Sequence, residues 1–214
     1  MEAKILIPII LSSLALGMSI LTIYFSLLQR AALRVIAGEH INVSTYKEGN
    51  CAVNLPLTFA NNGARIAIIR RLALLVQRSG SADGYLLEPV FYEHVDDDGN
   101  FKHASQPTPI AVIGRSTDTK QVLFRSSLER PEELRFAEAG TYQMTILGWM
   151  KGKAGPQVTD TFAVTISNAA LADLERYRVE KSPLSVRLQQ SEWQKWSAQK
   201  LTEAEISNLG IRPG

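Results

Sequence analysis

One run constrains this chain more than any other feature: residues 5–28, ILIPIILSSLALGMSILTIYFSLL, carry no charged side chain. At about 1.5 Å per residue the run reaches roughly 36 Å as a helix, enough to cross a hydrocarbon core about 30 Å thick with some tilt. We therefore expect a transmembrane anchor helix over 5–28, a β-sandwich domain over 32–167 and a helical C-terminal extension over 168–214. A cleaved secretory signal is the alternative. Against it, Lys4 is a meagre positive flank, and the run exceeds an ordinary signal core of about 7–15 residues. The small pair Ala31-Ala32 follows Arg30 directly, a poor cleavage context. Pro8 falls in the first turns, where a missing N–H costs little.

The side of the membrane follows from flanking charge. Arg30 and Arg34 follow the run, whereas Lys4, offset by Glu2, precedes it. The Lys/Arg rule then leans the large domain to the cytoplasmic side. A lone Cys51 forbids an internal disulfide and fits a reducing compartment, although exported domains also do without disulfides. Asn42-Val43-Ser44 matches a glycosylation sequon, a pattern loose enough to arise by chance.

Charge also excludes a function class. Over 31–167 there are 14 Lys and Arg against 14 Asp and Glu, a net of zero. A nucleic-acid binder shows a basic excess or stripe, so no nucleic-acid partner is expected. Hydrophobic content of 45% and charged content of 21% are those of a folded domain.

That domain reads as short strands separated by turn residues. Leu33-Arg34-Val35-Ile36 predicts a first strand ended by Ala37-Gly38, with a polar connection over 39–50. In 53–59, Val53, Leu55, Leu57 and Phe59 share one face at period 2. Pro56 lies opposite and lacks an N–H, which predicts an edge or a bulge. Asn61-Asn62-Gly63 is a turn signal. In the strand from Ile66 to Val76 the inward set is Leu72, Leu74 and Val76, and Arg70-Arg71 breaks the alternation, predicting a bulge or a strand crossing nearby. Further strands are expected over 89–95, 101–104, 110–113 and 121–125, then one with Tyr142, Met144 and Ile146 inward, ended by Trp149, and a closing one over 161–167 with Phe162, Val164 and Ile166 inward. This spacing is that of an all-β sandwich.

The most specific local pattern is Glu138-Ala139-Gly140-Thr141-Tyr142-Gln143-Met144. It resembles the tyrosine corner of immunoglobulin-like and fibronectin-III-like sandwiches, in which a Tyr bonds back to upstream backbone. The resemblance implies that Tyr142 is that residue, in a mainly β, Ig-like fold. Met144 stands where an antibody-type domain has its second Cys, and Cys51 has no partner Cys, which speaks against that subtype. No activity is implied, because the architecture hosts many functions.

The C-terminal region changes character. Asn168 can cap a helix through Lys181 with Leu171, Leu174 and Tyr177 on its apolar face. Pro183 ends it. A second helix over 192–200 carries Trp193 and Trp196, and Thr202-Glu203-Ala204-Glu205 opens a short last one. The two indoles either lie at the membrane interface or pack on the sandwich.

Catalytic chemistry finds no motif. There is no G-x-S-x-G outside the anchor and no H-E-x-x-H, and Gly114-Arg115-Ser116-Thr117 lacks the Lys of a phosphate loop. Asp96-Asp97-Asp98-Gly99-Asn100 fails the EF-hand pattern, with His94 in the first slot and Ser105 in the last. It reads as a hairpin turn. With Asp98-Gly99 as its centre, His94 faces His103, a pair that could hold a transition metal near Asp96. A solvent-exposed pair, or a register that sets His103 against Asp96, is the alternative. No catalytic, cofactor-binding or metal residue is assigned.

The anchor has one further pattern. Ser12, Ala15, Ser19, Thr22 and Ser26 fall at spacings of 3, 4, 3 and 4. Such a smooth seam allows close backbone approach and interhelical hydrogen bonds. The bland reading is that the hydroxyls bond one turn back within their own helix. The expectation is a single-pass, membrane-anchored, non-catalytic interaction or accessory module. Its partners are the lipid bilayer and a protein, or a second copy, along that seam. The alternative is a small-ligand or metal-binding domain.

Overall fold

The computed structural model of the protein describes residues 2–45, 51–81, 83–95, 101–126, 136–152, 154–180 and 185–190. Helix α1, Glu2–Ile23, leads into a π-helical turn, Tyr24–Leu28, closed by the Gln29 N–H on the Tyr24 carbonyl at 2.9 Å. Among the described residues Ile7–Leu28 is one helix long and apolar enough to cross a membrane, and none of it is buried against the domain. A signal sequence meets the same test.

The rest is mainly β. Strands β1 (Leu33–Ala37), β2 (His40–Thr45), β3 (Cys51–Asn61), β4 (Ala67–Arg78), β5 (Gly84–Val95) and β6 (Phe101–Ser105) come first. β7 (Ile110–Val112), β8 (Ser116–Ser126), β9 (Gly140–Met150) and β10 (Val158–Ile166) follow. After helix α2 (Asn168–Glu180), strand β11 (Ser185–Gln189) completes the set. Among the described residues the ladders are antiparallel and join in one 11-stranded sheet, whose main path is β10-β9-β4-β5-β8-β3-β2-β11, with β1 also on β3, β6 on β5 and β7 on β4. A bridge from Val164 to Gln190 brings its two ends together, so the sheet curls almost into a barrel.

The period-2 faces predicted from sequence form the core. Val53, Leu55, Leu57 and Phe59 of β3 are fully buried, as are Leu74 and Val76 of β4 and Met144 and Ile146 of β9. Alternating side chains of curled strands point inward together, and burial of a Leu, Phe or Ile contributes about 1.5–3 kcal/mol each.

Two strands were not expected. The polar connection contains β2, where Ile41 and Val43 are buried between half-exposed polar neighbours. The expected helical extension supplies α2 and then β11, which pairs with β2 from Ser185↔Ser44 to Gln189↔His40. Both carry two apolar inward positions, too few for a clear alternation. The cap of α2 also differs: the Ser167 hydroxyl, not Asn168, accepts the Ala170 N–H at 3.1 Å. The expected helices over 192–200 and after Thr202, with Trp193 and Trp196, lie outside the described residues.

Pro56 sits where β1 hands over to β2 along the same edge of β3, since Ala37 pairs with Leu57 and Asn42 with Asn54. Four residues on one side face two on the other, a bulge. Gly38 N–H bonds to the Pro56 carbonyl at 2.8 Å, and a Cβ on Gly38 would stand 2.3 Å from the proline ring. The bulge is sealed by buried Gln190, whose amide donates to the Gly38 carbonyl at 2.7 Å and the Ala37 carbonyl at 3.3 Å. Asp160 of β10 accepts the Ala37 N–H at 3.0 Å.

Candidate functional site

Two places stand out: the junction of the apolar helix and the domain, and a cleft between β4 and β5. The junction is built on Asn61, the last residue of β3, which is 1% exposed. Its amide oxygen accepts the N–H of Ala32 at 3.2 Å and of Gly63 at 3.1 Å. Its amide nitrogen donates to the carbonyls of Arg65 (2.8 Å), Val112 (3.1 Å) and Ile113 (3.2 Å). One side chain thus ties the chain leaving the apolar helix to both turns at this end of the sheet.

The surrounding bonds are backbone to backbone. Ala64 and Arg65 N–H both reach the Gln29 carbonyl at 3.2 Å, and Asn62 N–H reaches Ala32 at 3.0 Å. A Cβ on Gly63 would lie 2.0 Å from the Arg30 carbonyl oxygen, and one on Gly114 would lie 1.9 Å from that of Ala64. The glycine of the Asn-Asn-Gly turn is therefore required for close approach. Arg115 adopts a left-handed φ of 56°, its N–H bonded to Gly63 at 2.9 Å and its guanidinium to the Phe25 carbonyl. Arg115 was read from sequence only as part of a failed phosphate loop; its partners at 25 and 63 are remote in sequence and left no local signal.

The cleft follows from the bulge predicted at Arg70-Arg71. β4 pairs with β7 over 67–69 and with β5 over 74–77, and 70–73 has no ladder partner on that edge among the described residues. The register shifts between Ile69 and Arg71 on the β9 side, and between Pro89 and Phe91 where β5 meets β8. Pro89 cannot donate to a ladder, which suits it to such a shift. The gap is a cavity of about 230 Å³ lined by Arg70, Arg71, Glu88, Pro89, Tyr92, Pro107 and Pro109. Arg71 bonds Glu88 at 2.9 Å and lies 5.1 Å from the Trp149 ring centroid. Tyr92 is buried and donates to the Thr108 carbonyl at 3.0 Å, and burial pushes its pKa above the usual 10.0.

At the far end of the sheet the Tyr142 hydroxyl donates to the Glu138 carbonyl at 2.8 Å, with its ring buried edge-on against Phe136. Its pKa is also raised, by desolvation, against the lowering effects of the Glu138 bond and the Arg78 charge.

The histidine pair is corrected. The β5–β6 register sets His94 against Lys102 and His103 against Glu93, so His94 and His103 are not opposed. Val95 and Phe101 face each other, leaving five residues between them. A two-residue loop on Asp98-Gly99 needs an even number, so the expected register is out by one and consecutive positions change face. Residues 96–100 lie outside the described residues. Among the described residues no group of three or more His, Cys, Asp or Glu is placed to hold a metal.

In α1, Ser12 donates to Pro8 at 2.7 Å, Ser19 to Ala15 at 2.8 Å and Thr22 to Met18 at 2.8 Å. These hydroxyls bond one turn back within their own helix. Asn42 of the sequon is half-buried in β2, flanked by Asn54 of β3 and Arg187 of β11.

Comparison with known proteins gives little. No family model matches the chain, and no curated protein does. Among solved structures, the Bacillus subtilis sporulation control protein Spo0M is similar over 64% of this chain and 49% of its own, at 13% identity and a TM-score of 0.31. A protein from Archaeoglobus fulgidus is similar over 64% of this chain and 94% of its own, at 9% identity and a TM-score of 0.30. The chain thus spans about half the length of Spo0M. Neither likeness bears on function.

Proposed function

We propose that this protein is a single-pass, membrane-anchored, non-catalytic module that binds a protein partner at the bilayer surface, its domain on the cytoplasmic side. The observation that carries the reading is the β4–β5 cleft. At about 230 Å³ it is smaller than the roughly 300–1,000 Å³ of small-molecule sites, and suits one or two side chains of a partner. Its surroundings of Arg70, Arg71, Tyr92 and Trp149 match the Arg and aromatic enrichment of protein interfaces. The Tyr142 corner supports an immunoglobulin-like ancestry for the curled sheet. The anchor face of Ser12, Ala15, Ser19, Thr22 and Ser26 is the smooth side along which a second helix would pack.

A photo-crosslinking residue at Pro109, in the full chain in native membranes, tests this. It should capture one defined protein, whereas the same group at exposed Thr161 on β10 should not. Arg70→Ala with Arg71→Ala should reduce the yield by tenfold or more, as for a central interface residue. Equal capture at both positions, or none at Pro109, would overturn it.

A further inference from the structure

The end of the domain nearest the anchor differs in charge from the rest. Segments 24–36, 61–66 and 109–117 hold four arginines and no Asp or Glu, whereas Arg71 farther along β4 is paired with Glu88, within a domain whose charges otherwise balance. Arg30, Arg34, Arg65 and Arg115 are exposed there. Between them, at the tips of the two turns, stand Ile66 and Ile113, 59% and 67% exposed. Arginine beside exposed isoleucine is poorly served by water alone. At a bilayer interface the apolar side chain enters the acyl boundary and the guanidinium reaches the phosphates.

The height of these residues is fixed by the junction. Gln29, whose carbonyl holds Ala64 and Arg65, directly follows the apolar helix, and Phe25, whose carbonyl takes the Arg115 guanidinium, lies within it. No free linker lets the domain rise away. With the helix across the bilayer, residues 64–66 and 113–115 are held at headgroup level.

We propose that this rim is a membrane-docking surface. Ile66 and Ile113 enter the interfacial layer, and Arg30, Arg34, Arg65 and Arg115 bind anionic phospholipid headgroups. The inference rests on the reading that Ile7–Leu28 spans the bilayer. It adds a second, electrostatic contact that fixes how the domain stands on the membrane.

The test uses the full chain with Cys51→Ala and single cysteines at Leu16, Ile66, Ile113 or Ser81, each carrying an environment-sensitive fluorophore. Reconstitution is in vesicles of phosphatidylcholine with phosphatidylglycerol, the quencher being attached to one lipid or the other. Leu16 reports the span, and Ser81 lies beyond the other end of β4, roughly 40 Å away along a 12-residue strand. Probes at Ile66 and Ile113 should be quenched, more by labelled phosphatidylglycerol than by labelled phosphatidylcholine, and Ser81 should not be. Arg30→Gln or Arg65→Gln should each cut the preference for the anionic lipid by up to about fivefold, and raised salt should weaken it. Quenching at Leu16 with none at Ile66 or Ile113 overturns the docking rim, and equal quenching by both lipids overturns its choice of headgroup. Absence of quenching at Leu16 instead overturns the spanning helix beneath it.

Discussion

The junction at Asn61 and the cleft at Arg71 are made differently. At the junction, backbone meets backbone, Gly63 and Gly114 leave no room for a Cβ, and one buried amide reaches five backbone groups, its two hydrogens shared among three carbonyls. At the cleft the ladder parts, and what spans the gap is side chain: the Arg71–Glu88 ion pair, half exposed on both sides, and the Tyr92–Thr108 bond. A buried polar group left without a partner costs about 1–3 kcal/mol, whereas an exposed ion pair contributes about 0–1. The first construction fixes geometry. The second leaves side chains able to change partners.

The largest effect is expected from breaking the junction. Asn61→Ala leaves the Ala32 and Gly63 N–H groups and three carbonyls without this partner, and should destabilise the domain by about 3 kcal/mol, read by denaturant unfolding. It should also loosen the anchor, raising hydrogen exchange at Ala32 and Ala64. A loss under about 1 kcal/mol would show that the junction is held by the backbone alone.

A smaller effect belongs to the buried tyrosines. Tyr92 and Tyr142 both have folded-state pKa values above 10.0. Such a group stabilises the fold fully below pH 10 and loses that contribution as pH rises through the folded value. Stability should hold to about pH 10 and then fall. Tyr142→Phe should remove part of this alkaline loss and cost about 0.5–1.5 kcal/mol at neutral pH for the bond to Glu138. A variant as stable as the parent at neutral pH would remove the corner from the account.

How much of this was readable beforehand depends on the range of the interaction. The faces of β3, β9 and β10 were legible because alternation is local. The Arg70-Arg71 break did mark a bulge, but not the cleft it opens, which needs the loop residues Pro107 and Pro109. Asn61-Asn62-Gly63 was legible as a turn. The clamp role of Asn61 was not, since its partners at 32, 65, 112 and 113 meet only in the fold. The His94–His103 register failed for a related reason: loop length parity, not the Asp-Gly pair, decides which residues oppose.

The smallest stability effect is expected at the cleft. Arg71→Ala removes an ion pair more than half exposed at the arginine and the stacking on Trp149, and should cost no more than about 1 kcal/mol. Crosslinking of the partner at Pro109 should nevertheless weaken strongly. A loss of fold comparable to Asn61→Ala would erase the contrast between the two regions.

The central claim is that the apolar helix is kept and runs into the domain as one piece. The intact mass of the protein extracted from its own membranes tests this most directly. The expected mass still includes the apolar run, residues 5–28, joined ahead of the domain. A mature chain beginning near Ala31 or Ala32 would contradict it, because the carbonyls of Phe25 and Gln29 that hold the rim would then be gone.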